Sequence, residues 1–364
     1  MLVGAPQTWN GAVAQLGERV VRNDEVSGSI PLGSTRFHHL PCTPAPPIAA
    51  RMDLQAIVTD TWNALADERG GGTPARYIPA LAAVDPCKFG IALATDDGQV
   101  ACAGDADEKF SIQSISKVFA LALALEREGS ALWDAVGREP SGDAFNSIVQ
   151  LEKEKGIPRN PFINSGAIVT TDRFIGRRGV DEAVRDLIDR LRRMGRNPQI
   201  DFDQDVARSE SEAGERNRAL AWFLADFGRL LNPVEEVLSV YFRQCALSMS
   251  CRQLAESALF LAFDGTDPVT GQKMCSASRA RRINALMLLC GHYDNSGQFA
   301  FEVGFPGKSG VGGGILASVP GRAAIAVWSP GLNRAGTSLL GAKALAEIAR
   351  RTGWSVFSGQ LPEI

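Results

Sequence analysis

Two predicted strand hairpins, one near each end of the chain, constrain the fold more than any other feature of the sequence. The first hairpin is indicated by apolar runs within 89–104 that flank an Asp-Gly turn. The second is indicated by apolar runs within 314–328 on either side of a Pro-Gly turn. Between about 130 and 265, helical periodicity dominates instead. This order predicts one sheet that draws strands from both ends of the chain, with a helical block inserted between them.

Helices are predicted wherever apolar residues recur at helical spacing. From Ser114 to Glu128 the chain is largely apolar and has no Gly or Pro, which predicts a buried helix. Further helices are expected near 52–66, 180–193, 217–231, 249–262 and 337–351. We therefore expect an α+β fold. Its sheet-and-helix domain comprises roughly 52–128 and 268–364, and an all-helical domain comprises roughly 129–267.

The first 51 residues differ from the rest, since they hold six of the 19 prolines and no convincing periodicity. The stretches 11–19 and 28–36 resemble a transfer-RNA gene translated as protein. Met52 opens the first amphipathic helix pattern. We expect residues 1–51 to be a spurious or disordered leader and Met52 to be the true start.

Charge and cysteine content narrow the class of protein. The chain has 38 Lys and Arg against 41 Asp and Glu, a net charge of −3, so no basic excess favours nucleic acid as a partner. No apolar run approaches the about 18 residues that a membrane span needs. The seven cysteines form no C-x-x-C pair, which is typical of reduced thiols. These features predict a cytoplasmic protein without a membrane partner.

A serine and a lysine at helical spacing offer the first catalytic candidate. In Ser114-Ile-Ser-Lys117 the two side chains share one helix face. Burial would lower the pKa of Lys117 so that its amine could activate the Ser114 hydroxyl, and the helix N-terminus favours a developing oxyanion. A Ser-x-x-Lys tetrapeptide also occurs by chance about once in a chain of this size, so alone it is a weak signal.

Other proton-transfer groups are scarce. His292 is the one histidine after residue 51, so histidine-rich metal sites are excluded. The three tyrosines of the chain, Tyr77, Tyr241 and Tyr293, could relay protons if a lysine cation lowered their pKa. For any one of them taken singly, a structural role with a satisfied hydroxyl is favoured.

Glycines near the second hairpin suggest a backbone oxyanion site. Lys308-Ser-Gly310 precedes Val311 and three glycines, so the Val311 N–H could approach a ligand closely. This is no phosphate loop, because Glu302 stands where the first glycine is required. The acidic run 201–205 resembles a calcium loop, but Val206 occupies its glycine position, and we expect a solvated loop there.

Several long motifs, in this order, resemble the serine-dependent glutaminase family, relatives of the β-lactamases and penicillin-binding proteins. They are Phe110-Ser-Ile-Gln-Ser-Ile-Ser-Lys-Val-Phe119, Glu139-Pro-Ser-Gly142, Pro158-Arg-Asn-Pro-Phe-Ile-Asn164, Ala207-Arg-Ser-Glu210 and Lys308-Ser-Gly-Val-Gly-Gly-Gly314. The resemblance covers Met52 to about Trp354 and implies a β-lactamase-like fold. Ser165 departs from the alanine usual in the family, which concerns only fine specificity.

The resemblance also implies roles for individual residues. Ser114 would be the nucleophile and Lys117 its base. Tyr77 and Tyr293 would join the catalytic group, and substrate contacts would come from Asn164, Glu210, Asn217, Tyr241 and Val311. The glutamine ammonium suits Glu210, which without its motif would be an ordinary surface acid. Glu210 and Asn217, seven residues apart, could share one helix face.

The expected reaction is hydrolysis of L-glutamine to L-glutamate and ammonia, with no metal or organic cofactor. The family implies a homodimer or homotetramer. Two alternatives remain open: a β-lactam-recognising serine acylase or peptidase, and a catalytically weak glutamine-binding protein.

Overall fold

A computed structural model of the chain describes residues 52–142 and 146–358. The predicted leader, residues 1–51, lies outside the described residues, as do 143–145 and 359–364. All described elements belong to one unit, Arg51–Ile364. The strands are β1 Gly90–Thr95, β2 Val100–Gly104, β3 Phe110–Ser111, β4 Asp201–Phe202, β5 Leu247–Met249, β6 Gly307–Ser309, β7 Gly314–Val319 and β8 Ala323–Trp328.

Helices occupy most of the remaining described chain. They are α1 Leu54–Ala64, α2 Pro79–Ala82, α3 Ser116–Glu128, α4 Leu132–Ala135, α5 Ile148–Lys153, α6 Asn164–Ile175, α7 Val180–Met194, α8 Gln204–Glu212, α9 Glu215–Asp226, α10 Val234–Cys245, α11 Cys251–Ser257, α12 Leu259–Ala262, α13 Ala277–Cys290, α14 Ser296–Glu302 and α15 Leu339–Thr352. None of them is long and apolar enough to cross a membrane.

An antiparallel five-stranded sheet unites the two ends of the described chain, in the order β2-β1-β8-β7-β6. Both predicted hairpins are present, and their turns use glycines with positive φ, Gly98 (82°) and Gly321 (72°). The central strands β1, β7 and β8 are buried along their whole length because helices cover both faces. One face packs with α1 and α15, and the other packs with α3 and α11.

The long apolar helix α3 forms as expected, with every residue from Ser116 to Leu125 buried. It ends at Gly129, whose φ of 58° a side-chain-bearing residue rarely adopts. Its burial places the residues at its N-terminus deep in the molecule. The Ser114 region therefore sits on a rigid element.

A second, three-stranded sheet with the order β3-β5-β4 has no counterpart in the sequence-based prediction. Two of its strands, β4 and β5, fall inside the range 129–267 that we expected to be purely helical. The acidic run 201–205 is also not a loop, since it forms β4 and then Asp203 caps α8 by accepting the N–H of Val206 at 3.0 Å. The division of the unit into two domains at about 129 and 267 stays a prediction.

Candidate active site

A cavity of about 280 Å³ collects most of the residues singled out from the sequence. Seven of the nine predicted site residues line it: Tyr77, Ser114, Asn164, Glu210, Asn217, Tyr241 and Val311. The other two, Lys117 and Tyr293, contact lining residues from behind, through Asn164 and Ser114 respectively. The structure thus brings all nine together, although they are spread over more than 230 positions of sequence.

Ser114 is presented by a strained turn at the start of α3. It lies in a 3₁₀ turn, Gln113–Ile115, directly before the helix. Gln113 has a φ of 50°, which is unusual for a residue with a side chain. The turn is held by Ser116 Oγ, which donates to the Gln113 carbonyl at 2.7 Å. This geometry places the Ser114 hydroxyl in the cavity at the helix N-terminus.

Lys117, almost one turn further along, has the environment that a lysine base needs. Its side chain is 1% exposed, and burial lowers its pKa to about 8. Its Nζ donates to the Phe162 carbonyl at 3.1 Å and to Asn164 Oδ1 at 2.8 Å. Because its pKa is close to neutrality, a useful fraction of Lys117 carries no charge.

The tyrosines do not meet the condition under which we expected them to relay protons as phenolates. Burial raises the pKa of Tyr293, Tyr241 and Tyr77 instead of lowering it. Although 59% of the Tyr77 surface is exposed, burial of its hydroxyl is the largest cause of its raised pKa. All three phenols are therefore protonated at neutral pH. Tyr293 forms its hydrogen bond with Ser114 in this form.

Glu210 offers the cavity a carboxylate oxygen without a partner. It is 7% exposed, and its Oε1 has no hydrogen-bond partner within the described chain. Burial raises its pKa, while a hydrogen bond with the Gln113 side chain and the charge of Lys117 act in the opposite direction. A buried acceptor without a partner costs stability unless a ligand satisfies it. This carboxylate is suited to receive a cationic group.

Asn164 and Asn217 form a polar chain with Lys117. Asn164 accepts from Lys117 and donates from Nδ2 to Asn217 Oδ1 at 2.9 Å. The prediction that Glu210 and Asn217 share one helix is wrong, since α8 ends at Glu212 and α9 begins at Glu215. Two helices, not one, bring these side chains to the cavity. Ser165, beside Asn164, is buried and lies outside the cavity lining.

The glycine loop after β6 brings the Val311 backbone to the cavity. A Cβ at Gly310 would lie 2.5 Å from the Ile112 carbonyl, and one at Gly312 would lie 2.2 Å from the Ser111 carbonyl. Only glycine permits this close packing against the strand that leads to Ser114. The Val311 N–H makes no hydrogen bond among the described residues. It is free to donate to an oxyanion.

Comparison with known proteins decides the family. The family model named Glutaminase matches residues 72–357.

The chain belongs to the glutaminase family.

Relatives and solved structures agree with this assignment. A glutaminase of Rhizobium rhizogenes (strain K84) is 58% identical over 305 residues, which cover 84% of this chain and 99% of that protein. A thermolabile glutaminase of Rhizobium etli (strain CFN 42) is also 58% identical, with the same coverage. The structure of the probable glutaminase ybaS has a TM-score of 0.80 at 38% identity and covers 85% of this chain and 100% of its own.

A Bacillus subtilis probable glutaminase gives a TM-score of 0.76 at 34% identity, covering 82% of this chain and 96% of its own. These likenesses and the antiparallel sheet with flanking helices confirm the predicted α+β, β-lactamase-like fold.

Several lining residues of this glutaminase-family cavity were missed in the sequence. They are Ile78, Gln113, Asn146, Ala213, Arg216 and Cys245. Gln113 and Arg216 are sequence neighbours of Ser114 and Asn217, and Cys245 follows Tyr241 by one helical turn. Proximity in sequence to a predicted site residue was the available signal, except for Asn146, which has no such neighbour. His292, the one histidine after residue 51, stacks on Phe299 with ring centroids 3.7 Å apart and lies outside this lining.

Proposed function

We propose that the chain hydrolyses L-glutamine to L-glutamate and ammonia through an acyl-enzyme on Ser114. One arrangement carries the proposal: Ser114 and the unpartnered Oε1 of buried Glu210 face the same cavity, and the buried Lys117 amine, whose pKa is lowered, lies directly behind its lining. Membership of the glutaminase family supports it. Equimolar release of ammonia and glutamate from glutamine by the purified chain tests it, and no release would refute it.

Neutral Lys117 starts the reaction by accepting the Ser114 proton as Oγ attacks the side-chain amide carbon of glutamine. The oxyanion that forms accepts a hydrogen bond from the Val311 N–H. The Lys117 ammonium then returns the proton to the leaving nitrogen, and ammonia departs. Water, activated by Lys117, hydrolyses the ester to glutamate and restores Ser114. No step requires a metal or an organic cofactor.

The amino-acid head group is proposed to bind at the opposite end of the cavity. Glu210 Oε1 pairs with the ammonium, which satisfies an otherwise orphaned acceptor. Asn217 and the Tyr241 hydroxyl donate to the carboxylate, and Asn164 links this end to Lys117. The site thereby recognises a free amino acid by both of its charges.

Glu210→Gln is expected to raise the Michaelis constant for glutamine by about a hundredfold or more. A desolvated ammonium left without its charge partner costs on the order of 3–5 kcal/mol. Steady-state kinetics of ammonia release measure the effect. Glu212→Gln, an exposed acid on the same helix, is the matched control and should behave as the unmodified enzyme. Unchanged kinetics for Glu210→Gln would place the head-group pocket elsewhere.

Asparagine should be turned over at least about a hundredfold more slowly than glutamine. It is shorter by one methylene, so a head group fixed at Glu210 leaves its carbonyl about 1.5 Å short of Ser114 Oγ, and a misplacement of about 1 Å can cost about a hundredfold in rate. The loss should fall on kcat more than on KM. Equal turnover of the two amides would contradict this geometry.

We also propose a cytoplasmic homodimer or homotetramer with separate sheet-and-helix and helical domains. The reduced cysteines support the compartment, because the six within the described residues are all unpaired. The resemblance to the family supports the assembly. Light scattering on the eluting protein measures the oligomeric state, and a monomer at micromolar concentration would contradict it.

A further inference from the structure

Lys308 is a buried lysine that the proposed reaction does not use. It is 0% exposed and lies outside the lining of the cavity. Its Nζ donates to the Gly291 carbonyl at 3.0 Å and to the Ser309 carbonyl at 2.6 Å. Burying a lysine amine costs free energy of desolvation, which indicates that Lys308 has a role beyond packing.

The Gly291 carbonyl, in the neighbouring turn, accepts the hydrogen bond from Lys308. Besides Lys308 Nζ, it accepts the Ser309 N–H at 3.1 Å and the Ser309 Oγ at 3.3 Å. A Cβ at Gly291 would lie 1.8 Å from the Gly307 carbonyl, so the turn packs directly on β6. Three donors from one strand therefore fix the start of the segment that leads to Tyr293.

Tyr293 needs this support because its backbone is strained. Its φ of 54° is rare for an aromatic residue. Within the turn, Ser296 Oγ donates to the Tyr293 carbonyl at 2.8 Å and accepts the His292 N–H at 3.0 Å. The Lys308 Nζ lies 4.4 Å from the centroid of the Tyr293 ring. Lys308 thus holds the backbone two residues before Tyr293 and lies against the ring of Tyr293, the residue that bonds Ser114.

We propose that Lys308 is a positioning residue. By donating to the Gly291 carbonyl and packing on one face of the Tyr293 ring, it keeps the Tyr293 hydroxyl in hydrogen-bond contact with Ser114. The proposal rests on the proposed function, since it assigns the role of Lys308 in the same reaction. Lys308 acts through Tyr293, whose hydrogen bond with Ser114 orients the Ser114 hydroxyl for attack, and it does not touch the substrate.

A double-mutant cycle tests the coupling. Lys308→Met should lower kcat about a hundredfold with little change in KM, because Tyr293 is displaced by about 1 Å while the cavity lining is intact. In the Tyr293→Phe background the same substitution should cost less than about threefold, since the target of its action is gone. Equal losses in both backgrounds would overturn the proposal. Lys343→Met, at a half-exposed lysine of α15, is the matched control.

Thermal unfolding of each variant shows whether it folds. If Lys308→Met does not fold, Ser309→Ala removes another side-chain donor to the same carbonyl. It should show a smaller loss of kcat that also disappears in the Tyr293→Phe background. A loss of kcat that persists in the Tyr293→Phe background would also overturn the proposal.

Fluorine NMR gives a readout that needs no turnover. The chain has three tyrosines, so protein labelled with 3-fluorotyrosine should give three resonances, of which Tyr293→Phe and Tyr77→Phe each identify one. Ser309→Ala and Lys308→Met should shift the Tyr293 resonance and leave that of Tyr77 in place. An unshifted Tyr293 resonance overturns the positioning role. Failure of the unmodified enzyme to release ammonia would instead refute the proposed function.

Discussion

Ser114→Ala is expected to abolish glutamine turnover, a loss on the order of a millionfold as seen when an acyl-enzyme nucleophile is removed. Lys117 and the Val311 N–H remain in place, but no oxygen is left to form the ester. Binding should survive, because the head-group contacts come from Glu210 and Asn217. Ammonia release measures the rate, and the increase of the melting temperature with glutamine measures binding.

Ser130→Ala is the control for this experiment, since Ser130 is exposed and follows α3 at its far end. It should keep full activity. A Ser114→Ala enzyme that retains near-normal turnover would refute the acyl-enzyme on Ser114.

Lys117→Met is expected to cost several orders of magnitude in kcat, since a positioned general base contributes about 10²–10⁴-fold and this one serves both half-reactions. Methionine keeps the apolar stem in its buried site, so the loss reports the amine. Steady-state kinetics and a melting curve separate lost chemistry from lost folding. Activity within about tenfold of the unmodified enzyme would exclude Lys117 as the base.

Lys117 should also determine how kcat/KM decreases as the pH falls. Burial lowers the Lys117 pKa from 10.5 to about 8, and the uncharged amine is the active form. Below that pH, kcat/KM should fall about tenfold per unit as the amine is protonated, and it should level off above. This limb should be missing from the residual activity of Lys117→Met. A profile without a limb near this pKa would contradict the assignment.

Features set by local sequence were predictable, and those set by tertiary packing were not. Both hairpins follow from turns whose glycines adopt positive φ, and α3 follows from an unbroken apolar run. The strands β3, β4 and β5 have only two or three residues each, too few for an alternating pattern. They form because backbone pairing, such as the Ile112 N–H donating to the Leu247 carbonyl at 2.9 Å, joins distant segments.

The candidate site, too, was only partly predictable from the sequence. The resemblance identified the site residues. It did not show that a helix ends between Glu210 and Asn217, which lie on two successive helices. The direction of the tyrosine pKa shifts also depends on burial, which no spacing reveals. Lys308 stood out in the sequence only as part of a glycine-rich motif. Its hold on the Gly291 carbonyl appears only when β6 and the turn after α13 are side by side.

Ammonia release by the purified chain from glutamine and from asparagine, assayed side by side with Ser114→Ala and with covalent labelling of Ser114 by a penicillin, tests the central claim most directly. The account predicts rapid release from glutamine, release from asparagine at least about a hundredfold slower, no stable labelling of Ser114 by the penicillin, and no activity in Ser114→Ala. Poor glutamine turnover with covalent penicillin labelling, or glutamine bound without ammonia release, would contradict it.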